Sequence, residues 1–464
     1  MSKKAKKKVE EMLEEAIISK EDQLFNIPEN WEWTKLGSIA EVVGGGTPKS
    51  NVKEYYDDGN IPWITPADLS GYNNMYINEG KRNITQLGLE KSSARLLPTN
   101  TVLLSSRAPI GYVVIAANEV STNQGFKNFL PSAAIYPQFL YWYLKNSKAY
   151  LESMASGSTF KEISGSRCKN ISFPLPPLNE QKRIADKVKL LLNKIEEAKQ
   201  LIEEAKKTFE LRRAAILDKA FSGELTARWR AQNNIEFNRV EYEIRELVSE
   251  LNQGWSPKCE SYPSVDNAKW GVIKTTAIQH MHFIEEENKQ LPDTLEPKEQ
   301  HELRAGDILI TRAGPRIRVG VCCMIKQVRP KLLLCDKAYR IRANMERVLP
   351  EFLELALNTP TVIKKLNEMK TGISDSGVNL TQKGFLAIKL SVPSIEEQGE
   401  IIRIVNILFE KEARSLRSLE SLEAIDTLKQ AVLSKAFRGE LGTNDPSEVS
   451  AIELLKEVLQ EHAK

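Results

Sequence analysis

Two stretches of the chain place apolar residues at alternating steps of four and three. In the first, Ile184, Val188, Leu191, Ile195, Ala198, Ile202, Ala205 and Phe209 stand among lysines and glutamates. That is the a/d seam of a coiled coil over about four heptads. Pro174, Pro176 and Pro177 stop the strand before it, and Gly223 lies just past its end. About 40 helical residues make a rod of roughly 60 Å. The second stretch runs from about Glu397 to Phe437. There Ile401, Val405, Leu408, Leu416, Leu419, Leu422, Ile425, Leu428 and Val432 form one apolar face. A stripe this narrow suits two helices packed on each other better than two helices lying on separate domains.

The two stretches are copies. Leu175-Pro-Pro-Leu-Asn-Glu-Gln181 opens the first and Lys219-Ala-Phe-Ser-Gly-Glu-Leu225 closes it. Val392-Pro-Ser-Ile-Glu-Glu-Gln398 and Lys435-Ala-Phe-Arg-Gly-Glu-Leu441 do the same for the second. The offset is 217 at the Glu-Gln and 216 at the Ala-Phe. So long a period means a duplicated domain-plus-helix unit, not a solenoid. An antiparallel pair with a pseudo-two-fold is expected.

Before each helix lies a mixed segment. Strand-like runs occur at Thr101–Ser105, Gly111–Ala116, Asp307–Thr311 and Val319–Met324, and short helices at Tyr136–Ser147 and Leu349–Leu357. The segments echo each other faintly, Ile61–Leu69 with Lys269–Ile278 and Leu97–Pro109 with Leu303–Gly314. Matched helices with poorly matched domains suggest one scaffold carrying two specificities. Helical segments are expected at Lys6–Ile18, Arg239–Leu251 and Glu448–His462, the middle one joining the repeats and the outer two making the equivalent joint.

The fold class is therefore α+β: two mixed α/β domains separated by two long antiparallel coiled-coil helices. The expected boundaries are 1–25 for an N-terminal helical segment, 26–178 for domain one and 179–225 for its helix. A linker helix follows at 226–253, then domain two at 254–395, its helix at 396–441 and a C-terminal helical segment at 442–464.

Composition changes this picture little. The 464 residues carry a net charge of only +3, so any nucleic-acid contact must come from local clusters. The five cysteines form no CxxC pair, as expected of a reduced, cytoplasmic chain without a zinc site. The basic start has no apolar core of a signal peptide behind it, and no run of 18 apolar residues suggests a membrane span.

Enzymatic motifs are scarce. Gly44-Gly-Gly-Thr-Pro-Lys-Ser50 lacks the spacing of a P-loop. It reads as a tight turn, or as a loop whose amides, Thr47, Lys49 and Ser50 meet a phosphate. His280 and His282 make an HxH without a third metal ligand. Cys322-Cys323 reads as a strand's buried pair. No amino-methyltransferase motif, helicase motif or nuclease cluster is present, so no catalytic residue and no metal site is assigned.

The loops do carry donors able to read bases. In the first domain these are Arg107, Asn123, Gln124, Ser158, Thr159 and Lys161. In the second they are Lys274, Thr276, Arg312, Arg316, Arg318, Lys337, Asn379 and Lys383. Arginine suits guanine, asparagine and glutamine suit adenine, and lysine, serine and threonine suit phosphate. Arg312-Ala-Gly-Pro-Arg-Ile-Arg318 is the densest cluster.

The whole pattern resembles the specificity subunits of type I restriction–modification systems. The resemblance rests on Asn26-Ile-Pro-Glu-Asn-Trp-Glu-Trp-Thr-Lys-Leu-Gly37, Ser121-Thr-Asn-Gln-Gly125, Pro174–Ile184 and the twin Ala-Phe-x-Gly-Glu-Leu ends. It implies two target-recognition domains, each reading half of a bipartite, asymmetric site on double-stranded DNA. It implies two methylation subunits on the helices, methylating adenine with S-adenosylmethionine, and restriction subunits using ATP and Mg. No cofactor falls to this chain. The chain departs from the pattern in lacking a clean Pro-x-x-Trp opening to its second domain, where Gly254-Trp-Ser-Pro257 is the nearest equivalent. Competing expectations are a coiled-coil adaptor that touches no DNA and a self-contained DNA-modifying enzyme.

Overall fold

The computed structural model describes residues 3–157, 161–372, 375–417 and 422–462. It forms two compact units, Met1–Leu201 with Ser421–Lys464, and Ile202–Glu420. The long helix Leu178–Phe221 starts in the first and ends in the second.

In the first unit, Glu32–Lys35 pairs antiparallel with Ser172–Leu175, so the domain's opening and closing strands clasp each other. A one-turn helix, Leu36–Ile39, follows. The main sheet has the order Val42–Gly44, Phe126–Phe129, Val102–Ser105, Val113–Ala116, Tyr76–Ile77. A smaller sheet has Ile61–Ile64 at its centre, antiparallel to Arg82–Ile84 and parallel to Ser121–Thr122.

The second unit repeats this plan with one strand fewer in its main sheet. Val240–Glu243 clasps Lys389–Val392, and the one-turn helix Ile244–Leu247 follows. The main sheet runs Val248–Gln253, Ala338–Ala343, Ile308–Thr311, Cys322–Met324. The smaller one centres on Gly271–Ile273, antiparallel to Asn288–Gln290 and parallel to Leu332–Leu333. The faint echoes in sequence fall on equivalent strands of the two sheets.

This corrects two expectations. The linker helix at 226–253 is only Ala227–Asn233, and the expected helix Arg239–Leu251 is two strands flanking one turn. Val240, Ile244, Leu247, Val248 and Leu251 mimic a helical period. The alternation Val240-Glu-Tyr-Glu243 wins because Lys389–Val392 offers an edge to pair with. The second domain therefore opens near residue 240, at the position of the first domain's Trp-Glu-Trp-Thr, and not at 254.

Each unit holds its share of the helices antiparallel. In the first, Glu196 meets Lys429 at 2.9 Å and Lys187 donates to the Leu441 carbonyl at 2.6 Å. In the second, Arg213 lies 3.6 Å from Glu412, and the Thr226 hydroxyl donates to Glu397 at 2.7 Å. The second stretch appears as Ile395–Arg417 and Leu422–Phe437, with 418–421 outside the described residues. Ile184, Val188, Ile401, Val405 and Ile425 are buried as the seam requires. Ala198 and Leu428 are exposed, and Leu433 and Ala436 are buried in the last turns of Leu422–Phe437.

The repeated end motifs meet across this antiparallel arrangement. Gln181 accepts from the Tyr136 amide at 2.8 Å and donates to the Ala134 and Pro176 carbonyls. Gln398 accepts from the Leu349 amide at 2.8 Å and donates to the Arg347 and Pro393 carbonyls. Each glutamine thus locks its helix's start to the turn before its domain's short helix, Pro137–Asn146 or Pro350–Leu357. The neighbouring glutamates receive the far end of the other copy. Glu180 accepts from Thr443 at 2.6 Å, and Glu397 from Thr226. Gly223 and Gly439 end their helices at φ +85 and +72, values glycine adopts without strain.

Lys3–Ala16 and Ala451–His462 are helices, and Val9, Ala16, Ala451, Leu455 and Leu459 share one core with the first domain.

Candidate nucleic-acid interface

In the first domain, two loops approach closely. Gly45 and Gly46 donate their amides to the Phe126 and Thr122 carbonyls at 3.3 and 2.9 Å. A Cβ on Gly45 would sit 1.9 Å from the Asn123 carbonyl oxygen, and one on Gly46 2.0 Å from the Ala94 amide, so only glycine fits. Trp63 Nε1 donates to the Gly46 carbonyl at 3.0 Å, and the Tyr56 hydroxyl to that of Pro48 at 2.6 Å. The loop is therefore pinned while Thr47, Lys49 and Ser50 remain exposed. The Gln124 amide donates to Thr47 at 3.5 Å, leaving the Gln124 side chain in solvent. Asn123 is half-buried, and its Oδ1 accepts from the Gly125 amide at 2.9 Å.

Next to this loop, Ser106 donates to the Gly125 carbonyl at 3.0 Å. Arg107 and Lys127 approach Glu162 at 3.7 and 3.2 Å. Lys161 is exposed beside Glu162. Ser158 and Thr159 lie outside the described residues. Thr47, Lys49, Ser50, Arg107, Asn123, Gln124 and Lys161 thus decorate loops joined by backbone contacts.

In the second domain, Lys274, Thr276 and Lys337 line one cavity of about 410 Å³ with Trp255 and Lys289. Lys274 pairs with Glu287 at 2.7 Å, and Thr276 donates to the same carboxylate, which these contacts hold below the usual range. Arg312 donates its amide to the Lys337 carbonyl at 2.9 Å and its Nε to that of Asp336 at 2.8 Å. Ala313–Gly314 pairs with Val378–Asn379, which brings the exposed Asn379 alongside. Arg316 pairs with Asp375 at 2.8 Å. Lys383 is exposed on the short helix Gln382–Leu386. Arg318 differs from the rest. Its guanidinium donates to Gln279 at 3.0 Å and to the Thr275 and Ile278 carbonyls at 2.6 Å, so it braces the loop from within.

Arg107, Lys274 and Arg316 each face a carboxylate. A carboxylate among cations can accept from cytosine N4 or hold a cation until a phosphate replaces it. Sequence reasoning missed Lys127, Glu162, Glu287, Lys289 and Asp375. Nothing in the chain's local pattern marks them, because strand pairing alone brings them to these loops.

His280 Nδ1 hydrogen-bonds Asn358 at 3.0 Å, and no group of three metal-capable side chains occurs among the described residues. Cys322 and Cys323 are buried in one strand, and burial raises both thiols above the ordinary range. No helix among the described residues is long and apolar enough to cross a membrane.

A family model described as the type I restriction modification DNA specificity domain matches residues 28–207. The chain is 40% identical over 242 residues to the MjaIX specificity subunit of Methanocaldococcus jannaschii, covering 52% of each. It is 27% identical over 440 residues to the EcoKI specificity subunit of Escherichia coli K12, covering 89% of this chain and 90% of that one. To the EcoEI specificity subunit of E. coli it is 26% identical over 486 residues, covering 85% and 80%. Over residues 28–207 the chain is similar to that specificity domain, and over most of its length it is similar to specificity subunits of type I restriction–modification systems. The match to MjaIX spans about half of that subunit's length, whereas EcoKI and EcoEI align over most of theirs.

Solved structures carry the same fold. A chain from a study of assembly and conformational transition in a type I system superposes with a TM-score of 0.66 at 19% identity. The HsdS subunit of Thermoanaerobacter tengcongensis does so with 0.55 at 18%. Each comparison covers 90% of this chain and all of the other. Both domains of this chain place their candidate readers on the connections around equivalent strands, Val102–Ser105 in one and Ile308–Thr311 in the other.

Proposed function

We propose that this chain recognises a bipartite, asymmetric site on double-stranded DNA, one half per domain, and scaffolds two adenine-methylating subunits and the restriction subunits. The observation that carries this reading is the repeated topology: equivalent sheets on equivalent helices, with loops that differ in length and sequence. A shared frame with two different loop sets suits two different half-sites. At roughly 1–3 kcal/mol per base pair, a half-site of a few base pairs discriminates too little alone. Two half-sites on one spacer add their discrimination, because the second contact is effectively intramolecular.

Catalysis belongs, in this reading, to the partners, which bring S-adenosylmethionine, ATP and Mg. This chain supplies orientation: phosphate contacts fix register and base contacts specify. The test is domain exchange in the reconstituted methylating complex. Replacing residues 26–173 with a relative's equivalent should change one half of the methylated motif and leave the other. Replacing 240–392 should do the converse. A change in both halves, or in neither, refutes the modular reading, and methyl transfer by the purified chain alone refutes its division of labour.

A further inference from the structure

We propose that Ile317 is a specificity-determining residue of the second half-site, contacting the 5-methyl group of a thymine. This rests on the DNA-reading function proposed above. Ile317 is 85% exposed, the most exposed large apolar side chain among the described residues. It is not on a slack loop. The Arg316 amide and Nε donate to Asp375 at 2.8 Å each, and Lys370 Nζ donates to the Arg316 carbonyl at 2.8 Å. On the other shoulder the Arg318 amide donates to the Pro315 carbonyl at 2.8 Å, its guanidinium is held by Gln279, Thr275 and Ile278, and Thr311 donates to its carbonyl. Both neighbours of Ile317 are fixed, and the Ile317 side chain projects between them.

The first domain has no counterpart. There Arg107-Ala-Pro-Ile-Gly111 joins strands equivalent to those joined by Arg312-Ala-Gly-Pro-Arg-Ile-Arg-Val-Gly320. Ile110 and Val319 are both buried, and Gly111 and Gly320 share φ values of +94 and +89. The extra residues between those matched ends carry Ile317. A feature present in one domain and absent from the common frame belongs to what differs between the domains, which is the target, and not to the shared assembly surface.

Its neighbours are polar readers: Arg312 and Asn379 flank the base of the turn, and Arg316 precedes it. Within such a set a β-branched apolar side chain, stiff about χ1, is matched to the one apolar group on a base edge in the major groove, the thymine methyl. A wedge driven between base steps would have to meet the cost of unstacking. A single side chain on a pinned turn is poorly equipped for that.

The experiment selects binding sites from a randomised duplex library with the full-length chain in complex with its methylation subunits. It is run for the wild type and Ile317→Ala, and repeated with uracil in place of every thymine. The wild type should prefer thymine at one position of the second half-site. That preference should vanish in Ile317→Ala and in the uracil library. Affinity should fall about fourfold for the lost methyl and roughly ten- to fiftyfold for the variant. The first half-site and the melting temperature should not move, since the side chain is in solvent. A thymine preference that survives uracil substitution overturns the proposal in favour of a wedge. An unchanged motif, or a defect only in subunit assembly, overturns it outright. Failure of the wild type to select any bipartite motif would overturn the proposed function as well.

Discussion

Glu180 and Glu397 occupy the same place in the repeated Glu-Gln motif, yet replacing each by glutamine should have unequal effects. Glu397 is buried, and its Oε1 receives Thr226 at 2.7 Å, Arg230 at 2.6 Å and Arg239 at 3.3 Å. The two arginine side chains are only 11% and 6% exposed. Arg239 Nε and Nη1 have no other partner. Glu397→Gln therefore leaves two buried cations facing a neutral amide, and breaking such a pair costs about 3–5 kcal/mol. Glu180 is equally buried, but its partner Arg183 is 39% exposed and forks onto Glu448 at 2.9 and 2.6 Å. Burial raises the Glu180 carboxyl above its ordinary value despite the Thr443 and Arg183 hydrogen bonds, so neutralising it relieves part of that cost. A loss of about 1 kcal/mol, one modest hydrogen bond, is expected. Two compact units need not unfold in one step, so the readout is hydrogen exchange segment by segment. In Glu397→Gln, protection over residues 226–239 should fall by hundreds to thousands of fold, since each 1.4 kcal/mol is a factor of ten. In Glu180→Gln, residues 443–448 should lose roughly fivefold. Equal losses, or a larger one at Glu180, would refute the claim that partner burial, and not the motif, sets the energy.

Three further outcomes are expected. Glu412 is 5% exposed, and neither carboxylate oxygen receives a hydrogen bond from Arg212 or Arg213, so Glu412→Leu should leave the melting temperature of the chain unchanged or raise it; a clear drop would show that the ion pairs hold the seam. The Arg183 hydrogen bond lowers the Glu448 carboxyl below its ordinary range, so its stabilisation is complete above the usual carboxylate pKa and is lost as pH falls through the lowered one; proteolysis of residues 443–450 should rise on acidification below about pH 4.5, and a Glu448→Gln chain should not show this dependence. Gly45→Ala would drive a Cβ into the Asn123 carbonyl, so DNA contacts at the first half-site should weaken while the methylated motif's second half persists; loss of both halves in a footprint would contradict the separation.

The scaffold was legible because its residues answer to one another within the sequence. A seam needs apolar residues at every third and fourth position, and a period is visible without knowing the partner. The strands at Val102–Ser105 and Ile308–Thr311 were equally plain, being continuous buried runs. The second domain's opening was hidden for a physical reason. Val240-Glu-Tyr-Glu243 becomes a strand because Lys389–Val392, nearly 150 residues away, lies beside it. Spacing alone puts Leu428 in the seam, whereas in the structure it is exposed and Leu433, Ala436 and Phe437 are the buried residues of that helix end. Carboxylates such as Glu162 and Asp375 join the candidate interface only through tertiary pairing, which no local pattern encodes.

The same contrast explains what was duplicated closely and what was not. In an antiparallel pair, the start of each helix packs against the end of the other, so Glu397 must find Thr226 and Glu180 must find Thr443. A change at any one of these four places disturbs a contact made by the other copy. The second copy shows how narrow the tolerance is: Gly442, at φ +68, stands as one extra residue between Leu441 and Thr443, and the threonine still reaches its glutamate. The contacts described for the loops around residues 107 and 312 are all with residues of their own domain. Once Arg107, or Arg312 with its longer turn, is anchored to its own sheet, length and side chains beyond the anchor are free to follow an outside partner. Sequence identity between the two halves should therefore be highest where the chain binds itself and lowest in the loops proposed to meet DNA.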